Sequence, residues 1–258
     1  MLKVDADIRG AVSNVVHTLK QAGCVVLDVN ARPNLPGGAP NAFRVYKQLL
    51  AAEENQSVMS EDQQRQMLQE YALRGSGGSG GSGGSVSDAL EQQFNWITQS
   101  QQMWQETDKM RQSMRVAWET FFEQFDVLLC PICTSVAWPH DEASVTDQPF
   151  WKIGDRVIPG ADGFSTPYHQ QVFWSGLTNV CGNPSTVFPA GRATSVEGNK
   201  MPVGLQIVGS EWNDLTTIRF AQALEEEGGF TMVRPNVLKT SGGGEARKPS
   251  DKRNVSSM

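Results

Sequence analysis

An α/β fold is predicted by three features of the 258-residue chain. A helical apolar pattern runs straight through a glycine into an extended apolar run near the start. Two further compact apolar runs, Asp126–Cys130 and Val203–Val208, have strand length, and an amphipathic helix follows the second. Helices alternating with short buried strands build layered α/β domains, in which each element hides its apolar side against the next layer.

Ile8, Val12, Val15, Val16 and Leu19 recur at three- and four-residue spacing, so the first element is an amphipathic helix closed by Gly23. Cys24–Val29 reads as a short buried strand, and Asn30–Pro40, rich in proline and glycine, as a loop. Helical patterning returns over Asn41–Glu54, with Phe43, Val45, Tyr46, Leu49 and Leu50 on the apolar side. It returns again over Glu61–Leu73, where Ser60 and Gln63 make a capping box.

A long helix, broken at most once, is predicted over Ser87–Gln124 from Leu90, Phe94, Ile97, Trp104, Met114, Ala117, Trp118, Phe121 and the following Phe125. Asp126–Cys130 is a buried strand ended by Pro131, and 132–180 lacks periodicity. The runs Pro184–Pro189 and Val203–Val208 come next. Asp214–Glu227 is a helix with Asn213 as N-cap and Leu215, Ile218, Ala221 and Leu224 on its buried face.

Of the 25 glycines, a disproportionate share falls in Gly75–Ser85, which reads GSGGSGGSGGS. Such a segment is a flexible linker by composition, reaching about 17–20 Å. Natural loops mix in turn formers and packing residues, so strict Gly/Ser periodicity points to an engineered joint. A free coil cannot hold a nucleophile beside its base, so Ser76, Ser79, Ser82 and Ser85 are given no catalytic role. The predicted organisation is a helical and short-strand segment over 1–74, the linker at 75–85, a second segment over 86–239, and a polar disordered tail over 240–258.

Composition narrows the function classes. A net charge of −6 argues against a general nucleic-acid binder. No apolar run reaches the roughly 20 residues a membrane span needs, and the start shows no export signal. With four cysteines, Cys24, Cys130, Cys133 and Cys181, in apolar surroundings, a reducing cytoplasm is expected rather than a disulfide framework.

Cys130-Pro-Ile-Cys133 has redox-motif spacing, but it follows a strand instead of opening a helix, and its surroundings supply no further metal ligands at useful spacing. Buried inert thiols, with no metal and no cofactor, are the expectation. His17, His140 and His169 belong to no catalytic motif. A designed site from His140, Asp162 and His169 is the weakest alternative. Trp138, Phe150, Trp151, Phe164, Tyr168, Phe173 and Trp174 crowd the irregular region, either lining an apolar ligand pocket or anchoring a long loop.

Phe125–Pro131, Asn179–Gly191 (NVCGNPSTVFPAG), Met201–Gly209 (MPVGLQIVG) and the helix after Asp214 together resemble, in order and spacing, the carboxy-terminal half of an amidase-signature enzyme. Asp162, Gly163, Tyr168 and Trp174 resemble the stretch preceding that asparagine, and the helix–Gly23–strand run resembles the portion after the family's catalytic core. The resemblance implies a three-layer α/β/α fold with a mixed sheet, here truncated. It implies hydrolysis of carboxylic amides through a Ser, cis-Ser, Lys triad in which a desolvated lysine acts as base through the bridging serine.

The part that carries that triad lies upstream of the resemblance, and its Gly-Gly-Ser-Ser-Gly core has no counterpart here outside the linker. No catalytic residue is therefore carried over. The resemblance implies pocket walls from Cys133, Thr134, Trp138, Tyr168, Trp174 and Asn179. It also implies an amide-like small-molecule ligand and, for a sheet left with an open edge, a complementary amino-terminal amidase fragment as partner. A non-catalytic binding or scaffold module for a hydrophobic amide-like ligand is the alternative function.

Overall fold

The first helix ends as its sequence predicts. In the computed structural model, which describes residues 4–27, 32–58, 62, 99–137, 151–153, 156–158, 171–194 and 200–232, α1 spans Ala6–Gln21 and buries Ile8, Val15 and Leu19. Gly23 takes a left-handed φ of 86°. Its N–H donates to Lys20 and that of Cys24 to Leu19, which satisfies the last carbonyls of the helix in a Schellman turn.

The segment after the turn departs from its prediction. Cys24–Leu27 joins no ladder, and Val25 and Leu27 are 90% and 61% exposed. Val26 alone leans on the core. An apolar run has strand propensity, but a strand needs a neighbour to take its N–H and C=O groups, and the described residues supply none at this point. Asp28 and Val29 lie outside the described residues.

Helix α2 spans Gly38–Val58, starting three residues earlier than the periodicity suggests and drawing Pro40 into its first turn, where a missing N–H costs nothing. Helix α3 spans Gln101–Phe122. Gln99 and Ser100 are not helical, and the Ser100 hydroxyl accepts the Met103 N–H at 3.2 Å, so Ser100 starts this helix within the long predicted one. The predicted helix over 61–73, the linker and the tail fall outside the described residues, Asp62 excepted.

Strand β1 is Leu128–Pro131. The stretch read as irregular contains two short strands, β2 (Trp151–Ile153) and β3 (Arg156–Ile158), paired antiparallel, and a helix, α4 (Phe173–Asn179). Gly154-Asp155 between the two strands is a two-residue hairpin signal that the crowd of aromatics obscures. Strands β4 (Ser185–Thr194) and β5 (Lys200–Val208) follow, then helix α5 (Asp214–Glu226).

The larger sheet has the order β1-β5-β4. Each pairing among the described residues is antiparallel, where the resemblance implied a mixed sheet. Phe188 opposes Leu205 and Thr186 opposes Ile207, so these residues share one face. On that face Phe188, Ala190, Ala193, Val203, Leu205 and Ile207 pack with α1 and α5 residues into one core. On the other face Cys130 and Val208 join a second core with Phe43 of α2, Met114, Trp118 and Phe121 of α3, and Phe173 and Leu177 of α4. Helices thus cover both faces, and the three-layer α/β/α arrangement stands.

Helix α5 is rotated from its predicted setting. Thr217 and Leu224 are buried, with Phe220 and Ala221 packed beside them, whereas Leu215 and Ile218 are 63% and 50% exposed. The Thr217 hydroxyl hydrogen-bonds that of Thr186 at 2.8 Å, and its methyl lies where a Cβ on Gly209 would collide at 2.8 Å. That contact fixes which face turns inward. Asn213 precedes the helix as expected, but its side chain caps no backbone N–H and accepts the Thr216 hydroxyl at 2.7 Å instead.

Two contacts between layers yield predictions. A Cβ on Gly176 of α4 would stand 2.8 Å from the Tyr46 ring of α2, so Gly176→Ala forces these helices apart. It should cost about 1–3 kcal/mol, read as a lower melting temperature. Arg115 of α3 pairs with Glu211 ahead of α5, and the guanidinium holds the carboxyl below its usual range. A depressed carboxyl adds stability above its unfolded value of about 4.3 and loses it as pH falls through the lowered one. Glu211→Gln should therefore lower Tm at neutral pH, with the gap to wild type closing in acid; a gap that stays constant into acid would show that the ion pair contributes nothing.

Candidate functional site

Where β1 leaves the sheet, it brings polar side chains into a buried setting. Cys130 lies directly opposite Gln206 in the ladder. The Gln206 amide, buried within the apolar run Val203–Val208, donates to the Cys130 sulfur at 3.1 Å and to the Pro131 carbonyl at 3.2 Å. A buried amide without partners would be costly, so this pair sets how β1 ends. Ile132 then turns over Gly204, whose missing side chain leaves the room: a Cβ there would meet the Ile132 methyl at 2.9 Å.

Thr134 is next, 1% exposed. Its N–H donates to the Gln171 Oε1 at 3.3 Å, its hydroxyl accepts the Gln171 Nε2 at 2.7 Å, and its carbonyl accepts the Asp5 N–H at 2.8 Å. Ser135 is buried beside it, and its hydroxyl has no hydrogen-bond partner among the described residues. Cys133 is half-buried in the same turn.

The other expected wall residues divide. Trp174, in the first turn of α4, is half-buried against the α2–α3–α4 core, its ring edge-on to Phe173 at 5.4 Å. Its indole N–H is buried with no partner among the described residues. Asn179 ends the same helix, exposed, and its carbonyl accepts the Gly182 N–H. Trp138 and Tyr168 lie outside the described residues, as do His140, Asp162, Gly163 and His169; His17 is exposed on α1. Cys133 and Thr134 thus share one buried turn. Gln171 ties that turn to the segment leading into Trp174, and Asn179 stands at the far end of α4.

Gln171 and Gln206 were not among the expected site residues. Gln206 carries a legible signal, since a lone amide inside the run Val203-Gly-Leu-Gln-Ile-Val208 needs a buried partner. Gln171 follows Gln170 in a polar stretch and looks like surface.

The buried and half-buried thiols are chemically quiet. Burial pushes Cys130 up to about 12 against the opposing Gln206 N–H. Burial also raises Cys181 to about 12, against the opposing influences of Arg111, Trp118 and Arg115, and it raises Cys133 as well. A raised thiol is not a nucleophile at neutral pH. All four cysteines are free, and no group of three or more metal-binding side chains occurs among the described residues. No helix among them is long and apolar enough to cross a membrane.

A family model for amidases matches residues 1–218. The chain belongs to the amidase family. Among curated relatives, it is 29% identical over 129 residues to a glutamyl-tRNA(Gln) amidotransferase subunit of Desulforamulus reducens, a match covering 50% of this chain and 22% of that protein. It is 33% identical over 115 residues to the glutamyl-tRNA(Gln) amidotransferase subunit of the same name from Oleidesulfovibrio alaskensis, covering 45% and 19%.

Among solved structures, a bacterial aryl acylamidase of the amidase-signature family superposes with a TM-score of 0.55 at 19% identity, over 89% of this chain and 42% of its own. A fatty acid amide hydrolase gives 0.55 at 16% identity, over 88% and 38%. These likenesses show the amidase-signature fold. This chain spans about two fifths of those structures and about a fifth of the curated relatives.

The burial of the amidase-family thiols has a direct readout. In the native protein at pH 8, iodoacetamide should modify exposed Cys24 readily and leave Cys130 and Cys181 untouched until the chain unfolds. Peptide mass spectrometry showing rapid labelling of Cys130 would contradict its burial.

Proposed function

We propose that this chain is an engineered, internally linked piece of an amidase-signature hydrolase. It keeps walls of the pocket for a hydrophobic carboxylic amide and does not by itself turn amides over by the family's Ser, cis-Ser, Lys mechanism. The observation that carries the reading is the Thr134–Gln171 junction: a buried, hydrogen-bonded turn that sets Cys133 and Thr134 beside the segment entering Trp174. A wall that shapes specificity has to be rigid in this way before any ligand arrives.

Inactivity is supported by sequence. No Gly-Gly-Ser-Ser-Gly core occurs outside the Gly75–Ser85 repeat, and that repeat's strict periodicity supports engineering. Cys130 and Cys181, held protonated by burial, are no substitutes for the nucleophile.

The partner in this reading is an amino-terminal amidase fragment carrying the triad, in a cytoplasmic setting, with no metal or cofactor required. Its support is the Cys24–Leu27 run, which pairs with no strand among the described residues and exposes Val25 and Leu27, as suits a segment awaiting a neighbour.

Incubation of the purified chain with small aryl amides such as p-nitroacetanilide tests the reading. The expected outcome is no turnover, together with an amide-dependent rise in the melting temperature followed by tryptophan fluorescence. Hydrolysis that survives replacement of the linker serines would overturn the inactivity. A flat melting response across aromatic amides would overturn the pocket.

A further inference from the structure

We infer that Gln171 is the positioning residue of this pocket, acting through Thr134 to hold the turn after β1 in register with the start of α4. The inference deepens the pocket reading above and rests on it.

Thr134 lies beyond the end of β1, so no ladder serves its backbone. Its three hydrogen-bonding groups are nevertheless all satisfied, two by the single side chain of Gln171 and the third by the Asp5 N–H. Three segments distant in sequence, the entry to α1, the turn after β1 and the entry to α4, therefore meet on one threonine. Both partners are deeply buried, Thr134 at 1% and Gln171 at 5% exposure. Water cannot replace either bond cheaply there.

The chemistry demands a primary amide of this length. Glutamate at 171 keeps the acceptor for the Thr134 N–H and loses the donor to the hydroxyl, leucine loses both, and asparagine is one methylene short. The neighbours explain why this matters for a ligand. Thr134 directly follows Cys133, and Gln171 stands three residues before Trp174. The two sides of the junction also face different cores, since Val136 packs with the α1–α5 side and Trp174 with the α2–α3–α4 side. Apolar packing on one core cannot set the turn relative to the other, whereas a two-point amide clamp can.

Cys133 supplies a reporter, because it is half-buried in the clamped turn while Cys130 and Cys181 are buried elsewhere. In the full-length chain carrying Cys24→Ser, alkylation by iodoacetamide is followed at each cysteine by mass spectrometry, alongside p-nitroacetanilide affinity. Gln171→Leu should speed Cys133 labelling about tenfold and weaken binding by a similar factor, the size expected for losing a buried hydrogen-bonded pair. Cys130 and Cys181 should stay protected. Gln171→Glu, which keeps the acceptor for the Thr134 N–H, should fall between.

Unchanged Cys133 labelling in both Gln171 variants would overturn the inference. So would equal acceleration at all three cysteines, because that is general loosening and not loss of position. A parent chain that binds no aryl amide would overturn the pocket reading, with the labelling pattern still deciding whether Gln171 sets the turn.

Discussion

Both apolar cores hang on strand β5. It is the central strand of the larger sheet, bonded to β1 on one side and β4 on the other. Val203, Leu205 and Ile207 point into the α1–α5 core, and Val208 into the α2–α3–α4 core. A strand buried on both faces tolerates polar side chains only where partners are waiting. Gln206 meets that condition through Cys130 and Pro131, and in doing so it determines where β1 stops and the candidate site starts. The turn after β1 is thus a consequence of how one amide is satisfied inside the sheet.

The clamp at Thr134 repeats the principle one step out. Gln206 and Gln171 are both buried amides whose donor groups are used on the β1 exit, and the chain between Cys130 and Thr134 is suspended between them. Polar groups placed this way specify one arrangement where apolar packing alone would allow several. The cores make the fold, and a few buried hydrogen bonds set the path of the chain leaving β1.

Much of the architecture was legible because it depends on local pattern. The α1 stripe with its Gly23 turn, the β1 run and the existence of α5 all follow from periodicity and punctuation. What escaped was set by contacts distant in sequence. Cys24–Leu27 has the composition of a buried strand, yet a strand is made by its neighbour, which no single segment reveals. The rotation of α5 was decided by Thr217 against Thr186 and Gly209, a small polar residue outweighing Leu215 and Ile218. At the turn after β1, Gln171 was invisible because nothing local distinguishes a buried amide from a solvated one.

Strand β4 does not pair with β5 in one uninterrupted register. Pro189 opposes Gly204 and Gly191 opposes Val203, leaving Ala190 as an extra residue in a bulge, with Gly191 at a φ of 127° that few other residues adopt. The inserted residue reverses the alternation, so Phe188, Ala190 and Ala193 all reach the same core. Beyond it, odd-numbered positions point where even-numbered ones did before. Any comparison of this strand with a relative lacking the bulge therefore needs a one-residue gap at Ala190, or it will match inward side chains with outward ones along the rest of the strand.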